Sequence, residues 1–176
     1  MITQTPWIER TFNFNYSIGV FPCILERVRG TPARLEELIA TLPAILTVRL
    51  NDKWSIQEII GHLATLEELH YGRIEDFLTG KDTLRAADMT NKKTAEANFN
   101  NQKVADTLKL FRRNRDEFVT RLESLEDEVL SRTSLHPRLK VQMRLVDMVL
   151  FVAEHDDHEI AKITRIAHTL RKSEMS

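Results

Sequence analysis

Along most of the chain apolar residues return every three or four positions, the pattern of amphipathic helices, and between these stretches the pattern lapses into polar connections. Phe21, Ile24, Leu25 and Val28, then Leu35, Leu38, Ile39 and Leu42, share one helical face. Gly30, Thr31 and Pro32 lie between them and could end one helix and start another, Thr31 as N-cap and Pro32 in the first turn. Val28 and Leu35 are seven apart, so the face keeps its phase. One helix over about 21–42 is therefore predicted, with at most a kink at 30–32.

A second pattern is bounded more sharply. In WSIQEIIGHLATLEELHYGRIEDFLTG, Ser55 and Glu58 make a capping box, Ile59, Ile60, Leu63, Leu66, Leu69, Ile74 and Phe77 supply the apolar face, and Gly80 ends it. Residues 81–100 are polar and poorly periodic, and read as a long crossover with one short helical piece. A third helix is predicted from about 101 to 125 on Val104, Leu108, Phe111, Phe118, Leu122 and Leu125. After a connection with a helical turn near 126–130, a last helix runs from about 144 to 171. Period-two alternation is rare, which argues against a sheet. The prediction is all-α: a four-helix bundle with a long crossover connection, one domain over 1–176.

Composition narrows the classes. Apolar residues make up 42% of the 176, charged residues 29%, and the formal net charge is −1. Basic residues are scattered. The densest cluster, RRNR at 112–115, shares its helix with Asp106, Asp116 and Glu117; it reads as a solvated face, and nucleic acid is not an expected partner. The longest apolar run, VDMVLFVA at 146–153, is too short to span a membrane, and MITQTPWIER lacks the apolar core of a signal peptide. A soluble cytoplasmic protein is the expectation. The run is apolar on more than one face, which leaves surface for a partner to cover. Cys23 is the single cysteine, reads as a small apolar filler, and excludes an intramolecular disulfide.

Candidate chemistry lies in VAEHDDHEIAKI, residues 152–163. On a helix His155 stands beside both His158 and Glu159. Imidazole and carboxylate are ligands that zinc, nickel and iron(II) accept, but one helix cannot complete a site. His62, set among Ile59, Ile60 and Leu63, is the best further candidate, because a buried ring needs a partner. By spacing alone, a solvated helix face and a hydrogen-bonded histidine are the commoner readings of these residues. His70, His136 and His168 carry no spacing signal. Trp54 reads as a hydrophobic staple or core cover.

The elements FPCILERVRGTPARLEELI, DKWSIQEIIGHLATLEELHYGRIEDFLTG and LHPRLKVQMRLVDMVLFVAEHDDHEIAKI, in this order, resemble the DinB-like/YfiT-like superfamily. The resemblance implies a four-helix bundle, often dimeric, with a divalent metal (Zn, Ni or Fe) held by three histidines, one on the second helix and two spaced i, i+4 on the last. Carried over, the first two positions are His62 and His155. The third is Glu159, where the family has histidine. Glu159 either ligates in its place, or His158 swings in, or tight metal binding is lost. The connection also departs from the pattern, with Ala95 and Phe99 where close relatives tend to have histidines.

The resemblance implies a metal-dependent hydrolase or a transferase acting with a low-molecular-weight thiol such as bacillithiol, mycothiol or glutathione. The partners are then a small-molecule substrate, the thiol and a second copy of the chain. The alternative is a non-catalytic dimeric helical bundle, a binding or stress-response protein with a degenerate metal site.

Overall fold

The computed structural model describes residues 2–174. Four long helices dominate: α1 (Phe21–Ile39), α2 (Ile56–Leu78), α4 (Val104–Glu123) and α5 (Leu145–Glu174), with the short α3 (Lys92–Glu96) in the crossover. α1 and α2 each pack on both α4 and α5, so α1 and α2 stand diagonally although they are consecutive in sequence. The four-helix bundle and its long crossover agree with the periodicity. Two features do not. A short antiparallel hairpin, β1 (Thr133–Leu135) with β2 (Gln142–Arg144), interrupts the connection before α5. Three-residue strands carry too little alternation to register as a pattern.

The second difference lies before α1. Residues 2–20 form a strap in which Trp7 packs on Phe151 at 4.9 Å and Phe12 on the same ring at 5.0 Å. Arg10 reaches Glu154 on α5, and Arg144 donates to the carbonyls of Phe14 and Tyr16. The apolar run 146–153 is thereby covered within the chain, rather than left open for a partner.

The core is two apolar clusters, separated by a polar layer at mid-height. Each long helix contributes to it: Thr31 from α1, Glu67 from α2, Arg115 from α4 and Asp156 from α5, all 2% exposed or less. Arg115, expected on a solvated face, is fully buried and binds Glu67 and Asp156. Pro32 explains part of this. Lacking an N–H, it leaves the Val28 carbonyl without its usual helical donor, and Arg115 Nη1 donates there at 2.8 Å. The helix continues through Pro32 as one element. Thr31 closes the layer by donating to Asp156 at 2.7 Å.

Candidate functional site

α2 begins at the capping box: Ser55 Oγ accepts from the Glu58 N–H at 3.1 Å, and the Glu58 carboxylate accepts from the Ser55 N–H at 2.8 Å. His62 follows two turns on. Beside it, a Cβ on Gly61 would stand 2.1 Å from the Phe99 ring, so glycine is what lets the crossover close against α2 here. That approach brings Thr94 of α3 to His62, with Oγ1 3.4 Å from Nδ1 and 3.0 Å from Thr65 Oγ1. Thr65 donates its own hydrogen to the His62 carbonyl at 2.9 Å. It must then accept from Thr94, and Thr94 from His62 Nδ1–H. This hydrogen-bond order assigns the proton of neutral His62 to Nδ1 and leaves the lone pair on Nε2. Burial, with the charges of Lys162 and His70, holds the His62 pKa down to about 3.

His155 of α5 faces it, with the two ring centroids 5.4 Å apart. Its Nδ1 is buried without a partner among the described residues, and its Nε2 lies 3.9 Å from Glu159 Oε1. Burial, then the neighbouring histidines and Lys162, push its pKa well below the usual value. Glu159 is buried and accepts from Lys162 Nζ at 3.2 Å. Burial nevertheless raises its pKa, against the opposing Lys162 charge. Lys162 also lies over the Trp54 ring, 5.4 Å from its centre, and Trp54 packs on His62 at 4.9 Å. Trp54 is thus a wall of the site as well as a cover.

The structure brings His62, His155 and Glu159 together and takes His158 elsewhere. Gln4 donates to His158 Nδ1 at 3.0 Å and to its carbonyl at 2.9 Å, and the ring packs on Trp7. Asp156 is consumed by the Arg115 layer, and Asp157 by Arg27 and Arg34. Two facing neutral imidazoles, one with a nitrogen unpartnered among the described residues, and a nearby carboxylate are donor chemistry that zinc, nickel or iron(II) accepts. These donors are not drawn in around one point: among the described residues no three His, Cys, Asp or Glu side chains form a group ready to hold a metal ion.

These side chains border a cavity of about 460 Å³, with Trp7, Met89 and Phe151 among its apolar walls. A wider depression of about 720 Å³, lined by residues such as Tyr71, Lys109 and Arg113, lies apart from it and contains none of the buried histidines. The cavity has further polar residues that the sequence did not single out, among them His70, Arg73, His136 and Arg138. His70 is buried, with Nδ1 3.2 Å from Glu67 Oε1. Glu67 is ionised: burial opposes this, but Arg115 and His70 hold its pKa down to about 2. Arg73, His136 and Arg138 also line the cavity, as do Asp88 and Lys162. Arg73 had a readable signal, since eleven positions separate it from His62 and three helical turns return nearly to the same face. His136 and Arg138 sit at the hairpin tip and had none. Cys23 is exposed, not a core filler, because its position on α1 falls outside the apolar stripe.

No match was found among curated proteins. Among solved structures the chain is similar to YfiT from Bacillus subtilis, described as a probable metal-dependent hydrolase with an unusual four-helix bundle topology. The identity is 22%, the TM-score 0.76, and the similarity covers 92% of this chain and 94% of YfiT. No described helix is long and apolar enough to cross a membrane. The sequence profile of the DinB superfamily matches residues 27–163, most of the chain and both helices that carry the facing histidines, and the protein belongs to that superfamily.

Proposed function

We propose that this chain is a metal-dependent enzyme, a hydrolase or a low-molecular-weight-thiol transferase, with His62, His155 and Glu159 as the metal ligands. The carrying observation is that His62 and His155, from separate helices, face each other at the edge of one cavity, with His155 Nδ1 buried and unpartnered among the described residues. The likeness to YfiT supports the hydrolase form, and family resemblance the thiol form. A bound divalent cation would supply a lowered pKa for a water or thiol in an open coordination position.

The chain's own residues do the rest. Thr94 and Thr65 hold the His62 ring with Nε2 unprotonated. Lys162 holds one oxygen of Glu159, and the other lies 3.9 Å from His155 Nε2. Trp7, Trp54 and Phe151 limit water at the reacting groups. His70, oriented by Glu67 and through it by Arg115, borders the same cavity and is the imidazole assigned to proton exchange with a group bound there. A homodimer and a cytoplasmic setting with a reduced thiol pool belong to the same proposal.

Elemental mass spectrometry of untagged protein tests it. Wild type should carry near-stoichiometric metal, lost from His62→Ala and Glu159→Ala and kept by His158→Ala. Metal kept by Glu159→Ala but lost from His158→Ala would transfer the third ligand to His158. No metal after reconstitution with zinc, nickel and iron(II) would leave the non-catalytic bundle as the reading. One observation already favours that rival: the Lys162 ammonium occupies the carboxylate that a metal would need.

A further inference from the structure

Away from the facing histidines, the cavity wall carries hydrogen-bond donors with nothing to receive them. His136 Nδ1 accepts from the Leu139 N–H at 3.1 Å. Burial, with the charges of Arg73 and Arg138, holds its pKa down to about 4, so the ring is neutral and its proton sits on Nε2. That Nε2 is buried and unpartnered among the described residues, and so is Arg138 Nη2. Arg73 is 3% exposed, and its hydrogen bonds from Nε and Nη2 both go to the Arg85 carbonyl. Neither Arg73 nor Arg138 has a carboxylate within ion-pair distance among the described residues, whereas Arg10, Arg27, Arg85, Arg115 and Arg144 all do.

The nearby acids do not fill the gap. Asp76, which attracts Arg73, spends its carboxylate on the Arg85 N–H, Nε and Nη2. Asp88, on the cavity wall, accepts from Thr90 and the Lys92 N–H. Glu159 is held by Lys162. Arg138, half-buried, reaches the Ile8 carbonyl through Nη1 and lies over the Trp7 and Phe151 rings. Neither it nor the buried Arg73 has a counterion among the described residues, and water could satisfy the orphan N–H groups without supplying one. An anion does both.

We propose that Arg73, His136 and Arg138 form an oxyanion-binding subsite, which holds a carboxylate or phosphate of the substrate in the same cavity as His62 and His155. This rests on the reading of the cavity as the substrate site. Arg73 stands eleven residues along α2 from His62, roughly 16 Å of helix rise. The substrate is therefore a small elongated molecule with an acidic group at one end and its reacting bond at the other. The cavity of about 460 Å³ accommodates a molecule of that size.

The test is calorimetric titration of chelator-treated protein with succinate and, separately, inorganic phosphate, at constant ionic strength with chloride as control. The expectation is saturable binding of at least one, weakened tenfold or more in Arg138→Gln and Arg73→Gln and unchanged in His62→Ala. The ligand preferred identifies the oxyanion. Arg138 is only half-buried at a hairpin tip, so Arg138→Gln keeps the fold, as circular dichroism would verify, even if Arg73→Gln does not. Binding no better than chloride, binding insensitive to Arg138→Gln, or binding lost in His62→Ala would overturn the subsite. Metal content plays no part in this readout, so failure of the metal reading and failure of the subsite remain distinguishable.

Discussion

Arg115 is fully buried, and five hydrogen bonds tie its guanidinium to Glu67, Asp156 and the Val28 carbonyl. Removing one partner of such a network leaves uncompensated buried charge. Arg115→Met should therefore cost about 3–5 kcal/mol in urea unfolding, far more than a surface arginine. Lys162 presents the opposite case. Its ammonium stands where it repels any cation bound beside Glu159. Lys162→Met should tighten zinc binding by about tenfold or more, as read by competition with a chromogenic chelator, since one unit charge a few Å away in an intermediate dielectric is worth a few kcal/mol. Unchanged affinity would place the metal away from Glu159.

At the level of elements, one contact between α2 and the crossover positions the site. Gly61 lets the Phe99 ring lie against the α2 backbone, and Gln57 fixes the same stretch by donating to the Phe99 and Gln102 carbonyls. Gly61→Ala should lose about 1–3 kcal/mol by overpacking, and Phe99→Leu in the same chain should recover part of it. Chemical denaturation of the two singles and the double measures the coupling; simple additivity would mean the crossover moves aside without strain. The capping box and the apolar stripes made α2 legible from sequence. Phe99 was visible only as a departure from the family pattern. Its role required knowing what it faces.

For the whole molecule, buried groups of depressed pKa set the pH response. His136 is held near 4 by burial and the adjacent arginines, against 6.5 ordinarily. The unfolded chain takes up the proton that the folded one refuses, so this stabilisation is complete above pH 6.5 and is lost as pH falls toward 4. Glu67 is held near 2, against 4.5, by Arg115 and His70 despite its burial. Its contribution is complete above pH 4.5 and is lost as pH falls toward 2. Both have the same sign, so urea stability should be highest near neutrality and above, then decline on acidification. His136→Asn should make the decline between pH 6.5 and 4 shallower; an unaltered slope would mean that the native ring protonates normally.

What the sequence determined by itself is what local periodicity and capping encode. Four amphipathic helices, the capping box at Ser55 and the turn at Gly80 are fixed by neighbours three or four residues away, whereas the histidines at 62 and 155 stood out through the family resemblance and not through spacing. Tertiary structure decided the rest, because those choices depend on partners distant in the chain. Arg115 is buried rather than solvated because Glu67 and Asp156 reach it from α2 and α5. Glu159 faces the cavity and His158 does not, because the strap claims His158 through Gln4 and Trp7. His70 and Arg73 share a face of α2 by spacing, but that His136 and Arg138 join them on one wall is decided by the hairpin tip folding back onto α2, which no spacing along the chain records.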